Sequence, residues 1–321
     1  MTGKAAPAPA GLTDGILPFT VEALDLRGRV VVLGPALDAM LKRHAYPEPV
    51  SRLLAEAVAL TVMLGSSLKF EGRFILQTQS DGPVRMLVVD FQTPDRVRAC
   101  ARLDETALAA AIEAGRVAPV ELLGNGHLAM TVDQGDDRNR YQGVVVLDGE
   151  SLEAAAHRYF AQSEQIPTVV RLAVAEVVEA GGASWRAGGL MAQFLPASGE
   201  RARLADLPGG DVPEGAETAE FDEDDAWVEA RSLVATIADH ELVDPALPPE
   251  RLLYRLFHER GVRVFPAEPV VERCRCSHDH VEGLLRSFTP EDRADMTVDG
   301  EIVVTCEFCN LSYHFDPADF G

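Results

Sequence analysis

Glu272-Arg-Cys-Arg-Cys-Ser277, followed by Thr305-Cys-Glu-Phe-Cys-Asn310, carries four of the chain's five cysteines. Cys274 and Cys276 form one close pair and Cys306 and Cys309 the other, with 29 residues between the pairs. Two close pairs at this separation suit a four-thiolate zinc site, because each pair approaches one ion from a tight turn while the chain between them closes the loop. The first pair has a single intervening residue instead of the usual two. Two thiols so close in sequence can also oxidise to a small strained disulfide ring that stays reducible. Ligand and disulfide are therefore both open to this cluster. His278, His280 and His314 lie nearby; four thiolates already satisfy zinc, so the histidines are read as bystanders.

The segment 270–321 has few large apolar residues, so a metal must supply much of its stability. Structural zinc contributes an apparent ~10–16 kcal/mol in small zinc peptides, and losing it should unfold such a unit. Arg273 and Arg275 flank the first pair; their charge favours thiolate over thiol, or is simply solvated surface.

Working outward, 321 residues allow a full core with at least one satellite unit. A formal charge of -22 repels phosphate backbones and anionic membranes. No nucleic-acid or membrane partner is expected. Residues 1–15 are rich in Ala, Pro and Gly and are expected to be disordered; they lack the apolar centre of a signal peptide. The longest apolar run, Leu53 to Leu68, contains Glu56 and is read as too short to span a bilayer. The expected location is the cytoplasm, where clustered cysteines bind metal or act in redox chemistry.

Residues 16–198 read as one α+β core domain on a mainly antiparallel sheet. Ile16 to Gly34 resembles a hairpin turning at Arg27-Gly28, and helices follow at Ala36–His44 and Val50–Ser67, the second buried on most of its surface. Strands are expected near 73–79, 84–91 and 96–102, then 127–133 and 141–147, then 168–176 and 185–195. Helices over 106–114 and 151–161 separate these groups. Cys100 falls on a strand and reads as inert core.

Residues 199–269 read as an acidic, flexible linker with two short amphipathic helices. Leu204 to Ala230 holds ten acidic side chains and no basic ones, a composition that cannot offset its ordering entropy by burial. The first helix sets Trp227, Ala230, Val234 and Ile237 on one face. The second, Glu250–Arg260, sets Leu252, Leu253, Leu256 and Phe257 on one face and stops at Gly261. Neither is long enough to stand alone in water, so both must dock, and the docking is expected to be conditional. In the C-terminal unit, Ser277 caps a helix to about Phe288, Thr289-Pro290 starts another, and strands at 301–305 and 311–315 flank the second cysteine pair.

Other motifs carry less. Leu122-Leu-Gly-Asn-Gly-His-Leu128 lacks the third glycine and the strand-to-helix setting of a dinucleotide loop and reads as a turn. Ser163-Glu164-Gln165 before Pro167 reads as a helix end, and His127 and His157 as structural histidines.

These motifs together resemble the 33-kilodalton heat-shock protein family, the bacterial redox-regulated holdase chaperones. The resemblance rests on Cys274-x-Cys276 and Cys306-x-x-Cys309, with Leu68-Lys-Phe70, Gln79-Ser-Asp-Gly82-Pro83, Leu123-Gly-Asn-Gly126, Arg140-Tyr-Gln-Gly143, Tyr159-Phe-x-x-Ser163-Glu-Gln165 and Gly188-Gly189-x-x-x-Gln193 in order. It covers residues 16–321. It implies one zinc ion held by Cys274, Cys276, Cys306 and Cys309 in a reduced, inactive form. Under peroxide or hypochlorous stress it implies disulfides Cys274–Cys276 and Cys306–Cys309, zinc release, and loss of structure in the linker and the C-terminal unit (270–321). The exposed surface then holds unfolding client proteins without ATP, as a homodimer that passes them to ATP-dependent refolding chaperones. Trp227, Val234, Ile237, Leu252, Leu253, Leu256 and Phe257 are the candidate switch and client-binding surface. Two departures stand out: Asn310 replaces the family's common glycine, and the acidic linker is long. Asn tolerates a left-handed backbone, so the knuckle should survive.

No catalytic residue is expected. The rival reading is a thiol-disulfide oxidoreductase using Cys306-Glu-Phe-Cys309. That pair is expected between strands and not at the helix N-terminus of a thioredoxin-like unit, so the usual thiolate stabilisation is missing.

Overall fold

The computed structural model describes residues 12–68, 71–135, 140–179, 182–196 and 224–320. The acidic run from Leu204 to Glu223 and most of the expected disordered N-terminus (1–11) lie outside the described residues.

The layering follows from one helix. After β1 (Gly15–Val21), β2 (Leu26–Leu33) and α1 (Pro35–His44) comes α2 (Glu48–Ser67), with fourteen of its twenty residues buried. A helix that is apolar all round needs a partner on each side. It has a sheet on each: β2 and its neighbours on one side, β3 (Arg73–Ser80), β4 (Val84–Gln92) and β5 (Arg96–Leu103) on the other. At twenty residues α2 is longer than the apolar run read from the sequence and is long and apolar enough to cross a membrane, yet an apolar eighteen-residue stretch of it is 78% buried inside the protein. Glu48 and Pro49 extend it by forming its first turn, where proline's missing N–H has no partner to lose.

Next come α3 (Glu105–Glu113), α4 (Pro119–Leu123), β6 (Asn125–Asp133), β7 (Arg140–Asp148), α5 (Leu152–Tyr159), β8 (Thr168–Glu179) and β9 (Gly182–Phe194). Ser151 caps α5 by accepting from the Ala154 N–H at 3.2 Å. Phe160–Glu164 continues α5 as a wider π turn that ends at left-handed Gln165. The His157 ring accepts the Val170 N–H at 2.9 Å, the structural role expected of it.

The chain then forms α6 (Asp225–Ala235), α7 (Asp239–Val243) and α8 (Pro249–Phe257), three helices where the sequence pattern gave two. The extra one, α7, is only five residues long, too short for a periodic signal. Short strands β10 (Arg263–Val264), β11 (Glu268–Pro269) and β12 (Val271–Glu272) lead into α9 (His278–Arg286), α10 (Pro290–Asp295), β13 (Thr297–Val298), β14 (Glu301–Thr305) and β15 (Ser312–Phe315).

The first sheet runs β10-β1-β2-β9-β8, with β11 also on β1; the second runs β12-β5-β4-β3-β6-β7; β13-β14-β15 form a third. All pairings are antiparallel except β12 on β5. The first sheet is covered on both faces, which is why Val30–Leu33 of β2 and residues 187–194 of β9 are buried without alternation. One face meets α2. The other is covered by α6, α7 and α8; their Trp227, Val234, Leu252, Leu253, Leu256 and Phe257, and Ile237 from the turn between α6 and α7, are all buried in one cluster with Leu17, Phe19 and Leu190. Gly188 permits the close approach of α7, since a Cβ there would lie 2.0 Å from the Leu242 carbonyl oxygen.

Val270 packs in the main core and β12 extends the second sheet, so the first cysteine pair begins two residues after a core strand. The unit beyond has its own small cluster of five buried residues: Val281, Leu285, Ile302, Phe315 and Phe320. As expected, Ser277 caps α9, accepting from the His280 N–H at 3.1 Å, and Thr289 caps α10.

Candidate metal centre

The first cysteine pair hangs from β12, and the second forms the turn between β14 and β15. In that turn the Cys306 N–H donates to the Leu311 carbonyl at 2.9 Å and the Asn310 N–H to the Cys306 carbonyl at 2.8 Å. Asn310 has φ +54°, a left-handed conformation that asparagine tolerates. The knuckle closes as the spacing requires.

The four sulfurs lie within 4.8 Å of one another. Cys274 Sγ is 3.7 Å from Cys306 Sγ, and Cys276 Sγ is 3.2 Å from Cys309 Sγ. Four thiolates around zinc, each at ~2.3 Å, put neighbouring sulfurs about 3.8 Å apart, so this donor set fits a tetrahedral ion. Neither contact is a disulfide, which requires ~2.05 Å. All-sulfur tetrahedral coordination selects zinc or an iron–sulfur centre over the oxygen-seeking cations.

His278, His280 and His314 stand apart from the cluster. His278 packs its ring 4.5 Å from that of Phe315, and His314 Nδ1 lies 3.1 Å from Glu301. Cys100 is buried in β5, where burial pushes its thiol up to about 12.

The thiols are not equivalent. Burial opposes ionisation of Cys274, but hydrogen bonds from the Cys276 backbone and thiol, from Arg98 and from Cys306 outweigh it and bring the group down to about 7. Burial pushes Cys276 and Cys309 up. The Tyr313 hydroxyl donates to Cys276 Sγ at 3.1 Å.

The contacts that seat the cluster on the core are the ones sequence reasoning missed. Arg98, on β5, directs Nη1 toward Cys274 Sγ at 3.9 Å and lies 3.9 Å from the centroid of the Phe308 ring. It therefore touches both cysteine pairs. The same guanidinium donates to Asp90 Oδ2 at 2.7 Å, as does Arg275 at 2.8 Å. Arg275 is thus a docking residue and not free surface. Arg43 grips Glu272 through two bonds of 3.0 Å, and its carbonyl accepts from Asn310 at 3.0 Å. His44 Nε2 sits 3.1 Å from the Phe308 carbonyl, and Arg102 pairs with Glu307 at 2.8 Å. Every residue of the knuckle between the cysteines thus reaches the core. Only the alternation that placed Arg98 and Arg102 on one face of β5 was visible in advance.

The model of the Hsp33 protein family matches residues 14–316. The chain belongs to this family. Among similar proteins, the 33 kDa chaperonin of Caulobacter vibrioides strain NA1000 is 46% identical over 97% of this chain and 98% of its own length. That of Pseudomonas savastanoi pv. phaseolicola is 36% identical over 96% and 92%. The Hsp33 homologue of Thermotoga maritima shares the fold, with a TM-score of 0.71 at 18% identity over 95% of this chain and 96% of that one. Its low identity limits that likeness to architecture; membership of the Hsp33 family rests on the family match and the curated relatives.

Proposed function

We propose that this Hsp33 chain is an ATP-independent holdase chaperone, off while its four clustered cysteines are reduced and zinc-bound, and on when they are oxidised. Family membership and the relatives' names support a chaperone. The observation that carries the switch is the convergence of Cys274, Cys276, Cys306 and Cys309 in a unit whose own hydrophobic cluster holds five buried side chains, seated on the core by Arg98.

Zinc, when bound, supplies a cross-link that changes neither charge state nor geometry by redox chemistry of its own. The four thiolates would hold it. Oxidation would join Cys274 to Cys276 and Cys306 to Cys309; each thiolate pair gives two electrons to one peroxide, which takes two protons from solvent and becomes two waters. That withdraws all four ligands. A unit this small then loses the contribution that folds it, and the knuckle contacts to Arg43, His44, Arg98 and Arg102 go with it. Loosening of residues 270–320 and of α6 to α8 bares the apolar face of the first sheet to unfolding clients. Dimerisation of the oxidised form, hand-over to ATP-dependent chaperones and a cytoplasmic location belong to the same reading. Nothing in the site favours the oxidoreductase: Cys306 and Cys309 lie in a strand-to-strand turn with no helix dipole behind them.

The test combines elemental analysis and light scattering. Reduced protein should carry one zinc per chain, and peroxide should release it as four thiols disappear. Residues 274–320 should become protease-sensitive, and the oxidised protein should suppress aggregation of an unfolding client without ATP. Equal suppression by the reduced, zinc-loaded protein would sink the proposal.

A further inference from the structure

A cleft of about 70 Å³ opens at the C-terminal end of α2, where Arg27 of β2 and Gln193 of β9, paired in register, line one space with Leu64 of α2 and Phe74 of β3. Three of the sequence motifs meet in it: Leu68-Lys-Phe70 through Leu68, Tyr159-Phe-x-x-Ser163-Glu-Gln165 through Tyr159, Phe160 and Glu164, and Gly188-Gly189-x-x-x-Gln193 through Gln193. Neither the metal centre nor the layer of α6, α7 and α8 uses these side chains. The volume is well below the ~300–1,000 Å³ of a drug-sized pocket, so an occupant is small.

Two opposite charges line this cleft without pairing. Arg27 has no hydrogen-bond or ion-pair partner among the described residues, and its Nε is buried with no acceptor. Native proteins rarely leave a buried donor in that state, because its lost hydration is not replaced. Glu164 is the anion. One of its carboxylate oxygens accepts the Tyr159 hydroxyl at 2.9 Å, and the other accepts nothing among the described residues. It reaches the cleft from the wide π turn that continues α5, a local form that recurs at functional sites. A carboxylate in the wall, on a chain of charge -22, disfavours a doubly charged anion. One cation, one anion and an apolar wall match a small zwitterion instead.

We propose that the cleft is a binding site for a free α-amino acid with a short apolar side chain. Arg27 takes the carboxylate, whose geometry its planar fork of N–H groups fits. Glu164 accepts from the ammonium, and Leu64, Phe74 and Phe160 pack against the side chain. Gln193, 4% exposed, donates to Thr168 Oγ1 across a long 3.4 Å, so its amide is only loosely held and can turn to the ligand carboxylate. The proposal rests on the cleft and not on the thiol chemistry.

The experiment titrates three probes into full-length, reduced, zinc-loaded protein: L-leucine, isocaproate, which lacks its ammonium, and isopentylamine, which lacks its carboxylate. Leucine should shift the amide resonances of residues 64–68, 160–166 and 193 and raise the unfolding temperature. Isocaproate should bind at least about tenfold more weakly, and isopentylamine should give no shift at about 10 mM. Arg27 has no partner to lose, so Arg27→Gln keeps the fold, which its unfolding temperature without ligand verifies, and should weaken leucine by about ten- to hundredfold. Glu164→Gln keeps an acceptor for the Tyr159 hydroxyl and should weaken leucine while tightening isocaproate, because only the charge is gone. No shift with leucine at about 10 mM, or leucine affinity unchanged in Arg27→Gln, overturns the proposal. So does isocaproate that binds as tightly as leucine and is indifferent to Glu164→Gln, an outcome that assigns the cleft to a plain carboxylate.

Discussion

Replacing Leu253 by alanine should switch the protein partly on without oxidation. Leu253 is fully buried where α8 meets the first sheet, packed in one cluster with Phe19, Leu190 and Trp227. Alanine is at least as good a helix former as leucine, so the substitution leaves α8 itself intact and weakens only its seat. A buried Leu→Ala change costs about 2–5 kcal/mol, the transfer term plus the cavity left behind. If the layer of α6, α7 and α8 opens as a unit, that cost raises its open population by about 30- to about 5,000-fold. Hydrogen exchange reads this directly: amides of residues 225–257 should lose protection, while those of β3, β4 and β6 should not. Reduced, zinc-loaded Leu253→Ala should also suppress client aggregation where wild type does not. Lost protection without gained holding would mean that the covered face of the first sheet is not the client surface. Unchanged protection would refute the packing argument itself.

Phe308→Ala removes the ring that Arg98 stacks on, worth about 0.5–2 kcal/mol, and should speed exchange in residues 301–315 without loss of zinc from the reduced protein; zinc loss under the same conditions would show that the ring is needed to form the knuckle. Burial, helped by Glu153 and opposed by Arg52, holds the Glu56 carboxyl up from its ordinary 4.5 to about 7. The native state then keeps a proton that the unfolded state has released, so stability falls as pH rises from about 4.5 to about 7, by about 3 kcal/mol, and is flat above. Glu56→Gln should abolish that slope and raise the urea midpoint at pH 8; a wild-type midpoint that does not change between pH 5 and 8 would contradict the assignment. Cys100, with its thiol near 12 and buried in β5, should resist alkylation in native protein stripped of zinc, while the other four cysteines react. Mass spectrometry counts the adducts, and five on the native protein would contradict the burial.

Much of this was legible in the chain. The periods of β3, β4 and β5 and the apolar face of α8 gave the elements, because strand and helix periodicities are local properties. The cysteine spacing gave the cluster for the same reason: each pair is a tight turn, and a turn is short-range. Even left-handed Asn310 could be anticipated. The five residues of α7 and the two-residue strands β10 to β12 could not, since nothing so short repeats.

What the chain determined by itself is therefore a donor set, two amphipathic helices in need of a partner, and an uncharged strand at 141–147. The tertiary structure decided what each of these meets. It seats the helices on the far face of a sheet whose other face already packs α2, brings Arg98 from a strand 176 residues away against Cys274, and leaves β7 at the end of its sheet. Those are long-range pairings, fixed by which faces remain unburied once the local elements have formed, and no local pattern encodes them.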